Sequence, residues 1–215
     1  CGTTNIKFIS VALDDIWMRD YGGCFVVDDQ GGRGLVDFNF NGWGNKQTHA
    51  NDTLVADELS YQTNATYISS QLTGEGGGIE IDGHGTAIMT ESCWVNSNRN
   101  PGMTRSQIEA ELKANLGLRK IIWLPGIKDK DITDAHVDFY ARFASKGVVI
   151  ANLDNDPKSY DYAVTRKHLD ILKAATDADG NKLQVFTLPP PLKKRSNVYT
   201  KNNPDFAPGY INYLP

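Results

Sequence analysis

The order of strand and helix patterns limits what this chain can fold into more than any other feature. A β hairpin, an amphipathic helix and a single closing strand follow one another at least twice. In one pass, "GIEIDG" (78–83) and "TAIMTES" (86–92) are joined by a Gly-rich turn. Thr104 then caps a helix. Gln107 takes the capping-box position, Ile108, Leu112 and Leu116 line one face, and Gly117 stops it. "KIIWLP" (120–125) closes the pass. In the next, "VDFYARFAS" (137–145) and "GVVIANL" (147–153) form the hairpin through "ASKGV". The helix is predicted from about 159 to about 177, with Leu169, Leu172 and Thr176 on one side and Asp179-Gly180 ending it. "LQVFTLP" (183–189) closes that pass, again on Leu-Pro. Two earlier runs, "CFVV" (24–27) and "GLVDF" (34–38), precede a weaker helix pattern over 52–61. The predicted class is α/β, assembled from ββαβ units.

No linker interrupts the pattern, so residues 1–215 read as one domain. The Pro- and Asn-rich stretch 189–209 reads as a long surface loop, and "YINYLP" (210–215) as the start of another strand. A sheet ending there would leave an unpaired edge, so the expectation is a domain shortened at that end.

Composition excludes several classes. The chain is 40% hydrophobic with 22% charged residues, which suits one substantial core. Its 22 basic and 26 acidic residues give a net charge of −4, and the only basic run is "LKKR" at 192–195. Nucleic acid is not an expected partner. A small cationic substrate suits the balance. No apolar run is long enough to span a bilayer. Cys1, Cys24 and Cys93 are odd in number and widely spaced, against both a disulfide framework and a zinc site. No targeting segment is present, which favours the cytosol, while Asn-x-Thr sequons at Asn51 and Asn64 leave secretion open. Oligomeric state, homo-oligomers included, is not readable.

Titratable groups concentrate in a few stretches. "DDIWMRDYGG" (14–23) sets Trp17, Arg19 and Asp20 before two glycines. Asp20 could pair with Arg19 on the surface, or Trp17 and Asp20 could form an aromatic wall and anionic floor for a flat cation. "GEGGGIEIDGHGT" (74–86) sets Glu75 against a glycine run, which is either a turn or a close backbone approach to a ligand. "ESCWVNSNRNPG" (91–102) is a polar loop. "DITDAHVDFYARF" (131–143) places His136 and Asp138 two residues apart in a predicted strand, hence on one face. A metal held by Asp134, His136 and Asp138 is the rival reading there. Two carboxylates gripping a guanidinium, and a histidine serving as acid and base, would together make one reaction.

These stretches, in this order and with "KIIWLPG", "LPPP" and "YINYLP", resemble the agmatine deiminase and bacterial-type peptidylarginine deiminase family. The resemblance implies the pentein fold, an α/β propeller of ββαβ units, here incomplete and shortened at its start as well as its end. It implies hydrolysis of a guanidinium to a ureido group and ammonia, with no metal and no organic cofactor. By position, Asp20 and Asp138 would bind the guanidinium, Glu75 and His136 would act at the catalytic centre, and Trp17 would wall the pocket. The family's nucleophilic cysteine lies in a later Gly-rich segment, and neither Cys24 nor Cys93 stands at its position. Gly22-Gly23 and Ala135 replace the family's usual Gly-Pro and Gly. The leading activity is agmatine to N-carbamoylputrescine. An arginine-containing peptide as substrate, and a non-catalytic guanidinium-binding relative, are the alternatives.

Overall fold

The computed structural model describes residues 4, 6–191 and 209–213. Its strands form three three-stranded sheets, one for each of three ββαβ units. The first unit runs β1 (Cys24–Val27), β2 (Arg33–Asp37), helix α1 (Val55–Thr63) and β3 (Thr66–Ser69). The second runs β4 (Glu80–Ile81), β5 (Thr86–Thr90), α2 (Arg105–Leu116) and β6 (Lys120–Leu124). The third runs β7 (Ala141–Ser145), β8 (Val148–Asn152), α3 (Asp161–Ala174) and β9 (Gln184–Leu188). In every unit the middle strand pairs antiparallel with the first and parallel with the third. A parallel return needs a crossover, and the helix supplies it.

The α2 helix shows how local signals set an element. Thr104 and Gln107 close a reciprocal capping box, and Gly117 ends the helix at φ 63°. Ile108 and Leu112 are fully buried in a core with Val36, Phe38, Met89 and Trp94, drawn from the first two units. Each such aliphatic side chain contributes about 1.5–3 kcal/mol by leaving water. Leu112→Ala would therefore cost about 2–5 kcal/mol, cavity included. A second core joins Ile88, Ile122 and Leu124 to Val149 and Leu172 across the second and third units.

Several expectations are corrected. β3 has no apolar run to announce it, because only Ile68 turns inward. The 78–83 run contributes only Glu80–Ile81 to the sheet, and the 86–92 run leaves it at Thr90 for a helical turn, Glu91–Trp94. The α3 helix starts at Asp161 and ends at Ala174, before the Asp179-Gly180 turn. Its buried stripe is Val164, Thr165, His168 and Leu172. Residues 209–213 form no strand, and most of the predicted 189–209 loop lies outside the described residues.

The largest correction concerns 137–145. Only Ala141–Ser145 is strand, and Val137–Phe139 is a 3-10 turn. Asp134 and Ala135 are both left-handed, at φ 60° and 68°, which no strand tolerates. Thr90 Oγ1 donates to the Ala135 carbonyl and Ser92 Oγ to that of Asp134, each at 2.7 Å, and these bonds hold the bend. His136 and Asp138 are therefore not alternate residues on one strand face.

A positional rule emerges from the repeat. Each unit's first strand is preceded by a short helical turn: Met18–Tyr21 before β1, Gly76–Gly78 before β4 and Val137–Phe139 before β7. Asp20 lies within the first, Glu75 immediately precedes the second, and His136 and Asp138 flank and join the third.

Candidate active site

Those equivalent turns meet, and Gly77 marks the point. A Cβ added to Gly77 would lie 2.4 Å from His136 Nδ1, 2.7 Å from Asp20 Oδ1 and 3.0 Å from Asp138 Oδ2. Only a residue without a side chain lets three titratable groups from two other segments close on this backbone. Its N–H donates to Asp20 Oδ1 at 2.9 Å.

His136 lies between two carboxylates. Nε2 is 3.1 Å from Glu75 Oε2, and Nδ1 is 3.8 Å from Asp20 Oδ1. Burial alone would lower its pKa, but the carboxylates of Asp20 and Glu75 outweigh burial and raise it well above the usual histidine value. The two flanking carboxylates thus favour the imidazolium. Burial pushes Glu75 up, yet His136 and Arg99 overcome that and leave its carboxyl below the usual range.

Arg99 holds this arrangement from behind. Its Nε donates to both Glu75 oxygens at 2.8 and 3.0 Å, one terminal nitrogen to Asp134 Oδ2 at 2.8 Å, and the other to the Thr133 carbonyl at 2.9 Å. Burial works against its charge, but the Glu75 and Asp134 carboxylates more than restore it, so it stays a cation. Asp134 also meets Lys46 Nζ at 2.9 Å and Asn98 Nδ2 at 3.0 Å. Despite burial, these bonds pull its pKa down to about 2.

Asp20 and Asp138 are held differently. Asp20 Oδ2 accepts from the Trp43 indole at 2.9 Å. Asp138 Oδ2 takes Arg19 Nε at 3.3 Å, while its Oδ1 is buried with no hydrogen-bond partner. Burial raises the Asp138 pKa, as an undersolvated carboxylate requires. Arg19 therefore pairs with Asp138 and not with its neighbour Asp20. Trp17 is 53% exposed at the start of the turn that carries Asp20.

Among the described residues, one trio of metal-capable atoms gathers: Glu75, Cys93 and His136, all within 4.8 Å of one another. A cation there would face Arg99, which already occupies both Glu75 oxygens. The rival set of Asp134, His136 and Asp138 does not gather, because Asp134 is committed to Lys46 and Arg99. Cys93 is fully buried, its Sγ 3.5 Å from Glu75 Oε2, and burial raises its pKa. Burial also pushes the Cys24 thiol up to about 11. Neither is a ready thiolate.

Sequence reasoning gave no role to Trp43 or Arg99. The signals were faint: a tryptophan bracketed by glycines in "NGWGN", and a lone arginine in a loop facing an excess of acids.

The sequence profile of the Porphyromonas-type peptidyl-arginine deiminases matches residues 1–215. The chain belongs to that family. Agmatine deiminase of Pseudomonas fluorescens is 37% identical over 193 residues, covering 87% of this chain and 52% of that protein. Agmatine deiminase of Stutzerimonas stutzeri is 38% identical over 192 residues, covering 86% and 52%. The solved agmatine deiminase of Enterococcus faecalis superposes with a TM-score of 0.82 at 32% identity, over 86% of this chain and 53% of that one. The fold is accordingly the pentein fold. The chain spans about half the length of the curated family members it matches.

Proposed function

We propose that the intact protein hydrolyses a guanidino compound, agmatine first among them, to the ureido product and ammonia. One observation carries this reading: Asp138, whose Oδ2 closes with Asp20 and His136 around Gly77, has a buried Oδ1 with no partner. A planar cation with paired N–H donors would satisfy that oxygen and bridge to Asp20. Acidic groups around the site would favour the charged headgroup over neutral competitors.

In this reading a thiolate from outside Cys24 and Cys93 attacks the guanidinium carbon. His136 gives its proton to the departing nitrogen, which leaves as ammonia, and an S-amidino intermediate remains. The neutral imidazole then takes a proton from water as that water attacks the same carbon. Collapse forms the ureido carbonyl and breaks the C–S bond, releasing the thiolate, and the hydroxyl proton passes to solvent, where it accompanies ammonia as ammonium. Glu75 keeps the His136 ring oriented throughout.

The test is ammonia release by the intact protein from agmatine and from a blocked arginine peptide. Agmatine turnover that His136→Ala abolishes, and that chelator leaves untouched, supports the reading. Preference for the peptide would move the assignment to peptidylarginine, the substrate in the family's name. Binding without turnover of either would make the protein a guanidinium-binding relative, and chelator sensitivity would point to metal-dependent ureohydrolysis.

A further inference from the structure

We infer that Trp43 is a positioning residue: its indole N–H aims the Asp20 carboxylate, and the chain carries backbone strain at Trp43 to do so. The inference rests on the reading of Asp20 as a guanidinium-binding group.

The strain is specific. Trp43 sits at φ 56° and ψ 45°, inside a loop where Asn39, Gly42, Gly44 and Asn45 also have positive φ. A bulky aromatic in the left-handed region is an outlier that the backbone does not adopt unaided. Gly42 and Gly44 tolerate such angles and Trp43 does not, so the surroundings must impose them. They do. Asn41 Oδ1 accepts from Gly44 N at 2.8 Å, and Asn41 Nδ2 donates to the Asn98 carbonyl at 2.9 Å. Asn39 Nδ2 donates to the carbonyls of Ser70 and Leu72 at 2.8 and 2.9 Å. Phe40 meets the Trp43 ring edge-on at 5.1 Å, with Tyr21 behind it at 5.8 Å.

The strained residue delivers a buried indole, 2% exposed, to Asp20 Oδ2 at 2.9 Å. Gly77 N holds the other oxygen. Each Asp20 oxygen thus has one fixed donor, which sets the carboxylate plane and leaves the remaining lone pairs for a ligand. A tryptophan needed only for packing would have no reason to adopt this backbone, and its N–H would not have to meet a carboxylate from another segment.

Trp43→Phe keeps an aromatic ring beside Phe40 and removes the N–H together with part of the buried indole. The experiment is a double-mutant cycle in the intact protein with Trp43→Phe, Asp20→Asn and the pair. The readouts are kcat and KM for agmatine, calorimetric binding of guanidinium, and thermal unfolding. Trp43→Phe should raise KM and weaken guanidinium binding about tenfold, the effect of one lost hydrogen bond to a charged group. The binding loss should vanish when Asp20 is already Asn, whereas the lower unfolding temperature caused by the smaller ring should be the same in both backgrounds. Additive losses in the pair, or a loss tracking only thermal stability, overturn the positioning role while leaving the deiminase reading intact. Unchanged binding in Asp20→Asn alone overturns that reading, and the inference with it.

Discussion

His136 Nε2 and Glu75 Oε2 are 3.1 Å apart, and Asp20 Oδ1 stands 3.8 Å from the opposite ring nitrogen. A buried imidazole flanked in this way keeps its proton at neutral pH. Its raised pKa contributes stability that is fully present below the unfolded value of about 6.5 and is lost as pH rises through the folded value. His136→Gln should remove that alkaline loss. Unfolding temperatures recorded from pH 6 to 10 for both proteins would show it, and parallel curves would count against the imidazolium.

Asp138 has the opposite character. Its buried Oδ1 lacks a partner and its pKa is raised, so its ionised form is a burden to the empty fold. The stability attached to it is present below the unfolded value and lost as pH rises through the folded one. Asp138→Asn should therefore stabilise the unliganded protein at neutral pH, by about 1–3 kcal/mol. Its partner Arg19 is 41% exposed on the side chain and loses little. The same change should abolish guanidinium binding. A lower unfolding temperature in Asp138→Asn would refute this account.

Arg99 is buried between two carboxylates, and removing it leaves Glu75 with His136 alone and Asp134 with Lys46 and Asn98. Arg99→Met should destabilise by up to about 3–5 kcal/mol, the cost of breaking a buried ion pair, reduced by those remaining partners. Arg99→Lys keeps the charge but cannot match a planar fork that meets Glu75, Asp134 and Thr133 together, so it should fall between. Urea midpoints for the two variants decide it. Equal stability of Arg99→Met and the parent would mean that the network is replaceable by apolar packing.

Gly77→Ala tests the convergence directly. Crowding against His136, Asp20 and Asp138 should cost about 1–3 kcal/mol. Agmatine turnover and guanidinium binding should suffer far more than circular dichroism does. Retained binding would mean that the three groups can separate without loss.

What the sequence revealed follows the range of the forces involved. The α2 helix was legible to the residue, because its cap, stripe and stop are local and agree. Asp20, Glu75, His136 and Asp138 were legible as types of residue in marked stretches, and the family resemblance implied that they work at one centre, but no local signal gave their geometry. Their meeting depends on the repeat bringing equivalent turns together, which no single window of sequence contains. His136 and Asp138 were misplaced on a strand because an apolar run hides the two left-handed residues before it, and those angles are imposed by Thr90 and Ser92 from another unit. Trp43 and Arg99 act through partners 23 and 24 residues away, so their local sequence gave no hint of their contacts.

His168 gives a prediction independent of the site. Its Nε2 accepts the Gly126 N–H at 3.1 Å, and its buried Nδ1 has no partner. Tyr140 covers it edge-on at 4.9 Å, and burial pulls its pKa down to about 4. The fold therefore holds the neutral ring, while the unfolded chain takes a proton below about 6.5. Stability from this group is present above pH 6.5 and is lost as pH falls toward 4, by up to roughly 3 kcal/mol. Glu80 and Asp138, with raised pKa values, slope the other way, so the comparison must be between variants. His168→Gln can still accept from Gly126 but cannot gain a proton. Its urea midpoint should fall less than the parent's between pH 6.5 and 4, and an equal fall would show that His168 is not the group being titrated.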